Sequence, residues 1–437
     1  MKDLNTLNFD AIQEDFIQYI WRTKLIPKTW KGQSGENIEI IEFGHWNTDA
    51  GPDFFNAKIK IDAHIWVGNV EMHVLTSDWF RHQHEKNDAY KNVILHVVWE
   101  DDDQRTTQKS NDIPTIALKG SVPKVYLERY LSFYQRKSSI PCQSMIRDVP
   151  MEKIRISMYR MLVERLEEKA RNVEKIYQQT NASWEDTLYI MMVRYFGTKV
   201  NREPFEMLAR HVPLSVVMKN KGKQNTIEAL FFGQAGMLED ATIKDDYYVA
   251  LRKEYDFLKK KYQLSNMNPA AWKFSKMRPS NFPTVRIAQL SAVMTQVKPI
   301  FSTILQTENR NDIIALFTVS VPEYWDDHYT FGKQSKHVKK GFSDDFIDIL
   351  IINAIDPVLF YYGKYIQDES FCQKAMQLLE EIKAENNSII RMFAELDINS
   401  NNAFDTQSLL HLKNTYCHFK RCLSCTIGHE IMKGNYR

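Results

Sequence analysis

GPDFFNAKIKIDAHIWVGNVEMHVL, residues 51–75, holds two runs rich in β-branched and aromatic residues on either side of Asp62-Ala63-His64. Runs of this kind bounded by turn residues form strands, so Phe54–Ile61 and Ile65–Leu75 are expected to pair as a hairpin. Side chains alternate across a strand, which puts Glu71 and His73 on one face and Val70, Met72 and Val74 on the other, one face polar and one apolar. A hairpin folded about Ala63 sets Asp53 opposite His73 and diagonal to Glu71, close enough for the two carboxylates to share a divalent cation.

Outward from the hairpin the periodicity changes twice. Upstream, FDAIQEDFIQYIWR (Phe9 to Arg22) repeats apolar residues at three and four places, the pattern of an amphipathic helix carrying Glu14 and Asp15. Ile38 to Phe43 reads as a strand. Downstream, Ser77-Asp78 caps a helix running towards Tyr90, and VILHVVW (Val93 to Trp99) is a buried strand. The order is αβββαβ. A polar connection over Asp101–Asp112 and one more strand over Ile113–Leu118 follow.

Beyond Pro150 the period is helical, with helices expected over Met151–Gln178, Trp184–Phe196, Thr226–Leu238, Tyr247–Tyr262, Val285–Gln306 and Thr406–Met432. The expected fold class is therefore an α/β (α+β) N-terminal domain over residues 1–125, followed by a mostly α-helical region over 150–437, with a division into two subdomains near 310–340. A chain of 437 residues is long enough for more than one core.

Composition narrows the classes of function. With 57 basic and 55 acidic side chains the net charge is +2, so any attraction to nucleic acid must be local. The start of the chain lacks a signal-peptide pattern. The longest apolar run, Ile347 to Tyr362, is interrupted by Asn353, Asp356 and Pro357, so no membrane span is expected and a cytoplasmic location is. Oligomeric state is not legible.

Two carboxylates beside a basic group on adjacent strands bind Mg²⁺ or Mn²⁺ through oxygen and position a water to attack phosphorus, the chemistry of phosphodiester hydrolysis. The order αβββαβ with Pro52-Asp53 and then Glu71-Met72-His73 resembles the PD-(D/E)xK nuclease superfamily over roughly residues 8 to 100. The resemblance implies that Asp53 and Glu71 are metal ligands, that Glu14 is the additional acidic residue of many members, and that His73 stands where the motif has lysine. An imidazole at that position orients water or stabilises charge.

Six of the 12 histidines fall between His45 and His96, which supports a different reading. In it His73, His82 and His84 bind zinc, with Glu71 as ligand or general base and Asp78 close to the same edge, in a metal hydrolase of another type. A third reading is a scaffold that binds nucleic acid or protein and has lost the chemistry through the lysine-to-histidine change. On a larger scale GPDFFNAKI, GNVEMH, SDW, HQH, VILHVVW, MRPSNFPTVRIAQL and YCHFKRCLSC resemble a bacterial family described as a domain of unknown function, over nearly the whole chain.

Near the C-terminus Cys417, Cys422 and Cys425 have the spacing C-x4-C-x2-C. Three thiolates need a fourth ligand, Cys142 or His418, to hold zinc or an iron-sulfur cluster. Some nucleases of the superfamily resembled here carry such a cluster on one separate cysteine and a later group of three, although their separate cysteine precedes the nuclease core and Cys142 follows it. The plainer alternative is a helix with small buried thiols. Finally, Lys273, Lys276, Arg278 and Arg286 surround Trp272, Phe274 and Phe282, a mixture suited to nucleic acid, or else a turn whose aromatics are core and whose charges are solvated.

Overall fold

In the computed structural model, which describes residues 12–32, 34–102, 113–135, 138–296 and 299–434, the hairpin closes through Asp62 and Ala63, with Asp62 in the left-handed region at φ +50°. The polar segment 103–112 and residues 9–11 of the helix expected from Phe9 lie outside the described residues. The helix itself, α1, runs over Glu14–Arg22, and β1 (Thr29–Lys31), β2 (Asn37–Glu42), β3 (His45–Trp46), β4 (Phe54–Ile61) and β5 (His64–Leu75) follow. A short helix α2 (Asp78–Arg81), then β6 (Val93–Glu100), β7 (Thr115–Ala117) and α3 (Lys124–Gln135) complete the N-terminal α/β part.

The sheet is mixed, in the order β1-β2-β4-β5-β6-β7 with β3 also on β4. Strands β1, β2, β4 and β5 pair antiparallel, whereas β5-β6 and β6-β7 are parallel. Between β2 and β3 the chain turns at Gly44, where φ is +79° and a Cβ would stand 2.6 Å from the Phe55 carbonyl oxygen, so only glycine fits. The core is built from the apolar stripe of α1 (Phe16, Ile17, Ile20, Trp21) with Ile59, Val70, Leu95, Val97 and Ile116, all fully buried. Trp21 donates its indole N–H to the Phe43 carbonyl at 2.8 Å, which satisfies its one polar atom.

Three expectations change. First, the register: Ala57 pairs with Gly68 but Phe54 with Val70, because a bulge with Asn56 at φ +56° inserts one residue into β4. Asp53 therefore comes beside Glu71, not opposite His73: the turn, which pairs Ile61 with His64, accounts for one residue of the shift and the bulge for the other. Second, β5 keeps Glu71 and His73 on one face and Val70 and Met72 on the other, but both faces are covered: from Gly68 to His73 every residue is buried, and α2 packs on the strand. Third, the stretch from Ser77 to Tyr90 is not one helix but α2 and two single turns, His84–Lys86 and Asp88–Tyr90. Gln83, left-handed at φ +57°, breaks the first from the second, and the Asn87 side chain accepts from the Ala89 N–H to start the third.

The chain folds as two compact units, residues up to 157 together with 412 onwards, and 158–411. Residues from 412, which periodicity alone assigns to the helical region, thus pack with the α/β part: the C-terminal helix Thr426–Lys433 lies on α3, and Arg129 donates to the Met432 carbonyl at 2.8 Å. The second unit is helical, with a core that includes Val193, Phe196, Phe205, Leu230, Phe231 and Leu359. The helix expected over Val285–Gln306 is two, Pro283–Gln296 and Ile300–Gln306, the second starting just after Pro299. One stretch, Asp344–Ile366, is long and apolar enough to cross a membrane by length and composition; 78% of its most apolar window is buried among its neighbours, the setting of a core helix.

Candidate functional site

The bulge in β4 and the break at Gln83 together create a cluster of ionisable groups on β5. Asp53, at the mouth of β4, donates its N–H to Glu71 Oε2 at 3.2 Å, while its own Oδ2 accepts from the Met72 N–H at 2.9 Å. Its Oδ1 accepts from the Gln18 amide at 2.8 Å. Gln18 stands one turn after Glu14 on the polar edge of α1, and that four-residue spacing is the signal by which the sequence would have yielded it.

The imidazoles meet on the other oxygen of Glu71. Its Oε1 lies 3.6 Å from His73 Nε2 and 3.3 Å from His84 Nε2. His82 Nδ1 stands 3.2 Å from His73 Nε2, and one ring nitrogen from each of His73, His82 and His84 falls within 4.8 Å of the others. Residues two apart on a regular helix point to nearly opposite sides, so His82 and His84 converge only because Gln83 is left-handed. Behind them His96 Nε2 is 2.9 Å from His73 Nδ1. With the His73 proton on Nδ1 donated to His96, the Nε2 lone pair points into the cluster, the arrangement in which an outer group fixes the tautomer of a metal ligand. Tyr90 stacks on His84 at 3.8 Å between centroids, and Trp79 packs edge-on at 5.4 Å. Neither aromatic carries a sequence signal of this role.

Burial acts on both kinds of group in the direction that discharges them. Glu71 is pushed up by burial and then by the neighbouring carboxylates of Asp53 and Glu14; Asp53 is pushed up by burial against the pull of the Met72 N–H. Glu14 rises through burial, with His82 drawing it the other way. His96 is held down at about 3, by burial and then by His84, and His73 falls well below its usual range by burial and by the three rings around it. Neutral imidazoles keep their lone pairs, and a divalent cation among them would convert every unfavourable carboxylate into a favourable one. The donor set fits such an ion: three imidazole nitrogens and one carboxylate oxygen, and the buried Nε2 of His84 makes no hydrogen bond among the described residues.

Of the residues singled out from the sequence, Glu14, Asp53, Glu71, His73, His82 and His84 come together. Asp78 does not join them as a ligand: its Oδ2 accepts from the Leu75 N–H at 3.1 Å and its carboxylate pairs with Arg81, so it fastens α2 to the end of β5.

The four cysteines also come together, within the first unit. Cys142, Cys417, Cys422 and Cys425 are all buried and none is in a disulfide. The Cys142 thiol is pushed up by burial and then by its neighbours Cys417, Cys425 and Cys422, which places all four within electrostatic reach of one another. The helix after Cys425 packs on the turn Ile146–Asp148 that follows Cys142. In the helical unit, Lys276, Arg278 and Arg286 line one cleft. Lys273 is exposed outside its lining and Trp272 is a core residue whose indole donates to the Ala235 carbonyl at 2.8 Å, so the expected mixture of cations and stacking aromatics is not one surface.

No curated protein and no solved structure matches the chain. A family match over residues 14–388 spans GPDFFNAKI, GNVEMH, VILHVVW and MRPSNFPTVRIAQL and stops short of YCHFKRCLSC, and the chain belongs to the family described as Protein of unknown function (DUF2851).

Proposed function

We propose that the N-terminal α/β unit is a divalent-metal centre that hydrolyses phosphodiester bonds in nucleic acid. The observation that carries this reading is the convergence of one ring nitrogen from each of His73, His82 and His84 within 4.8 Å of one another, with Glu71 Oε1 3.3 Å from His84 Nε2. Three nitrogens favour zinc or manganese over magnesium, which prefers an all-oxygen shell. A cation held there polarises a phosphoryl oxygen and lowers the pKa of water. Glu14 and Asp53, whose carboxyl groups burial pushes up and which act electrostatically on one another, are candidate proton acceptors beside the cluster. The substrate class rests on the resemblance of Pro52-Asp53 and Glu71-x-His73 to the PD-(D/E)xK nucleases, with histidine in place of the motif's lysine, on a sheet that carries β1 and β3 beyond the αβββαβ order, and thiols without disulfides fit a reducing cytoplasm.

The test is hydrolysis of bis(p-nitrophenyl) phosphate and of single-stranded and duplex DNA and RNA by protein stripped of metal and then supplied with Zn²⁺, Mn²⁺ or Mg²⁺. Zinc or manganese is expected to restore activity, and Asp53→Ala, Glu71→Ala and His73→Ala to lower it by about a hundredfold or more. Equal rates in wild type and all three variants, or no turnover by wild type with any of the metals, would remove the reading.

A further inference from the structure

The helical unit contains a cleft of about 850 Å³ assembled from four separate stretches of chain. Its lining includes Lys199, Arg202, Lys276, Arg278 and Arg286 against a single acid, Asp345. Lys199, Lys276 and Arg278 are exposed, and none of the three has an ion-pair partner among the described residues. Arg202 is half-buried with its guanidinium over the Tyr195 ring at 4.8 Å, and its Nε donates to the Thr198 carbonyl at 3.3 Å.

Arg286 makes the cleft more than a solvated basic face. It is 8% exposed, near the start of the helix Pro283–Gln296, with its guanidinium 3.6 Å from the centroid of Phe346. Its Nη1 donates to Gln289 Oε1 at 2.8 Å and its Nη2 to Asn281 Oδ1 at 2.6 Å, both neutral acceptors. Its Nε has no hydrogen-bond partner, and no carboxylate among the described residues pairs with it. A buried cation without a counter-charge is strongly unfavourable, and the structure holds this one rigidly by stacking and by two amides instead of neutralising it. Gln289 is fixed in turn by donating to the Lys340 carbonyl at 2.8 Å, so the arrangement is built and not a chance rotamer.

We infer that this cleft binds successive phosphates of a nucleic-acid strand, with Arg286 at its floor and Lys199, Lys276 and Arg278 along its rim. Cations spread over several segments of an open cleft suit a chain of phosphates better than one compact anion. The groups that would read a base are already engaged: Asn281 and Gln289 hold Arg286, and the Tyr195 ring lies under Arg202. Binding is therefore to the backbone and independent of sequence. This site goes beyond the metal centre and does not depend on it.

The test uses the full-length protein in EDTA, so that binding is read without hydrolysis, and fluorescence anisotropy of a labelled single-stranded oligonucleotide of mixed sequence. Lys276→Ala/Arg278→Ala, which removes only exposed side chains, is expected to weaken binding about tenfold at low salt and to reduce the slope of log affinity against log salt by about 0.7 per cation removed. Lys253→Ala/Lys260→Ala, which removes two exposed cations of the helix Asp246–Tyr262 outside the cleft, is expected to bind like wild type. No binding by wild type, or equal binding and equal salt slope in the double variant, overturns the inference. Displacement of the oligonucleotide by a nucleoside triphosphate or inorganic phosphate at matched phosphate concentration overturns the assignment to a strand.

Discussion

Glu71 Oε1 lies 3.3 Å from His84 Nε2, although Glu71 is held in the middle of β5 and His84 begins a single turn beyond the break at Gln83. A strand fixes one partner and a turn delivers the other, so the pair reports directly on whether the cluster holds a cation. Zn²⁺ or Mn²⁺ at a hundred times its Kd is expected to stabilise the wild-type protein by about 2.7 kcal/mol. Glu71→Gln, which keeps the volume and removes the anion, should abolish most of that rise, as differential scanning fluorimetry with and without metal will read. An equal metal-induced shift in the variant would show that Glu71 is not a ligand.

The ring of His96 meets that of His73 at 2.9 Å between ring nitrogens and packs on Trp79 at 5.3 Å between centroids. His96→Phe keeps the strand packed but removes the group that sets the His73 tautomer. The expected consequence is a loss of metal affinity of about 10- to 100-fold by isothermal titration calorimetry, larger than the change in apo-protein stability can account for.

Gly68 stands just before the point, between Asn69 and Val70, where β5 changes register against β6, and a Cβ there would meet Asn92 O at 2.7 Å and Ile94 Cγ2 at 2.4 Å. The backbone oxygen cannot swing aside, so Gly68→Ala must push the parallel pair apart just before Glu71. A destabilisation of about 1–3 kcal/mol in urea unfolding is expected, accompanied by weakened metal binding. Retention of both would mean that the sheet yields more easily than its packing implies.

In the helical unit Glu228 is fully buried and pushed up to about 7 by burial, although the Tyr247 hydroxyl and the Trp325 indole donate to its two oxygens at 2.7 and 3.1 Å. In the unfolded chain it ionises near 4.5. Between those values the unfolded state sheds a proton that the native state retains, so stability falls as pH rises from about 4.5 through about 7 and then levels, a change of about 3 kcal/mol. Urea midpoints measured from pH 5 to pH 8 should show that decline, and Glu228→Gln should flatten it.

The thiols of Cys142, Cys417, Cys422 and Cys425 are each buried, and burial alone keeps such groups protonated; a bound cation reverses that preference. One zinc ion or one iron-sulfur cluster per chain is expected in protein purified without oxygen, and Cys142→Ser should lower that content severalfold. Elemental analysis with acid-labile sulfide distinguishes the two, and wild-type protein containing neither would leave four ordinary buried thiols.

Much of this was written in local pattern. The alternation over 54–75, the compact run Val93–Trp99 and the change to helical period after Pro150 reach the mixed α/β unit and the helical region, because a strand or helix is selected by which residues it can bury, and that is periodic in the chain; the short strands β1 and β3, too brief to show a period, were not in the expected αβββαβ order. The choice of Asp53, Glu71 and His73 was legible for the same reason, since two-residue alternation groups side chains on a strand. What the pattern could not supply was everything set by one residue out of register. The two-residue turn at Asp62-Ala63 and the bulge at Asn56, one residue each, moved Asp53 from His73 to Glu71, and left-handed Gln83 turned a notional helix into the break that aims His82 and His84 together. Such positions cost local conformational energy and are held by packing from elsewhere, so no window of sequence announces them. The same holds for Cys142 beside Cys417, Cys422 and Cys425, and for the unpaired charge of Arg286: proximity between distant segments is decided by how whole elements pack, which only the tertiary structure contains.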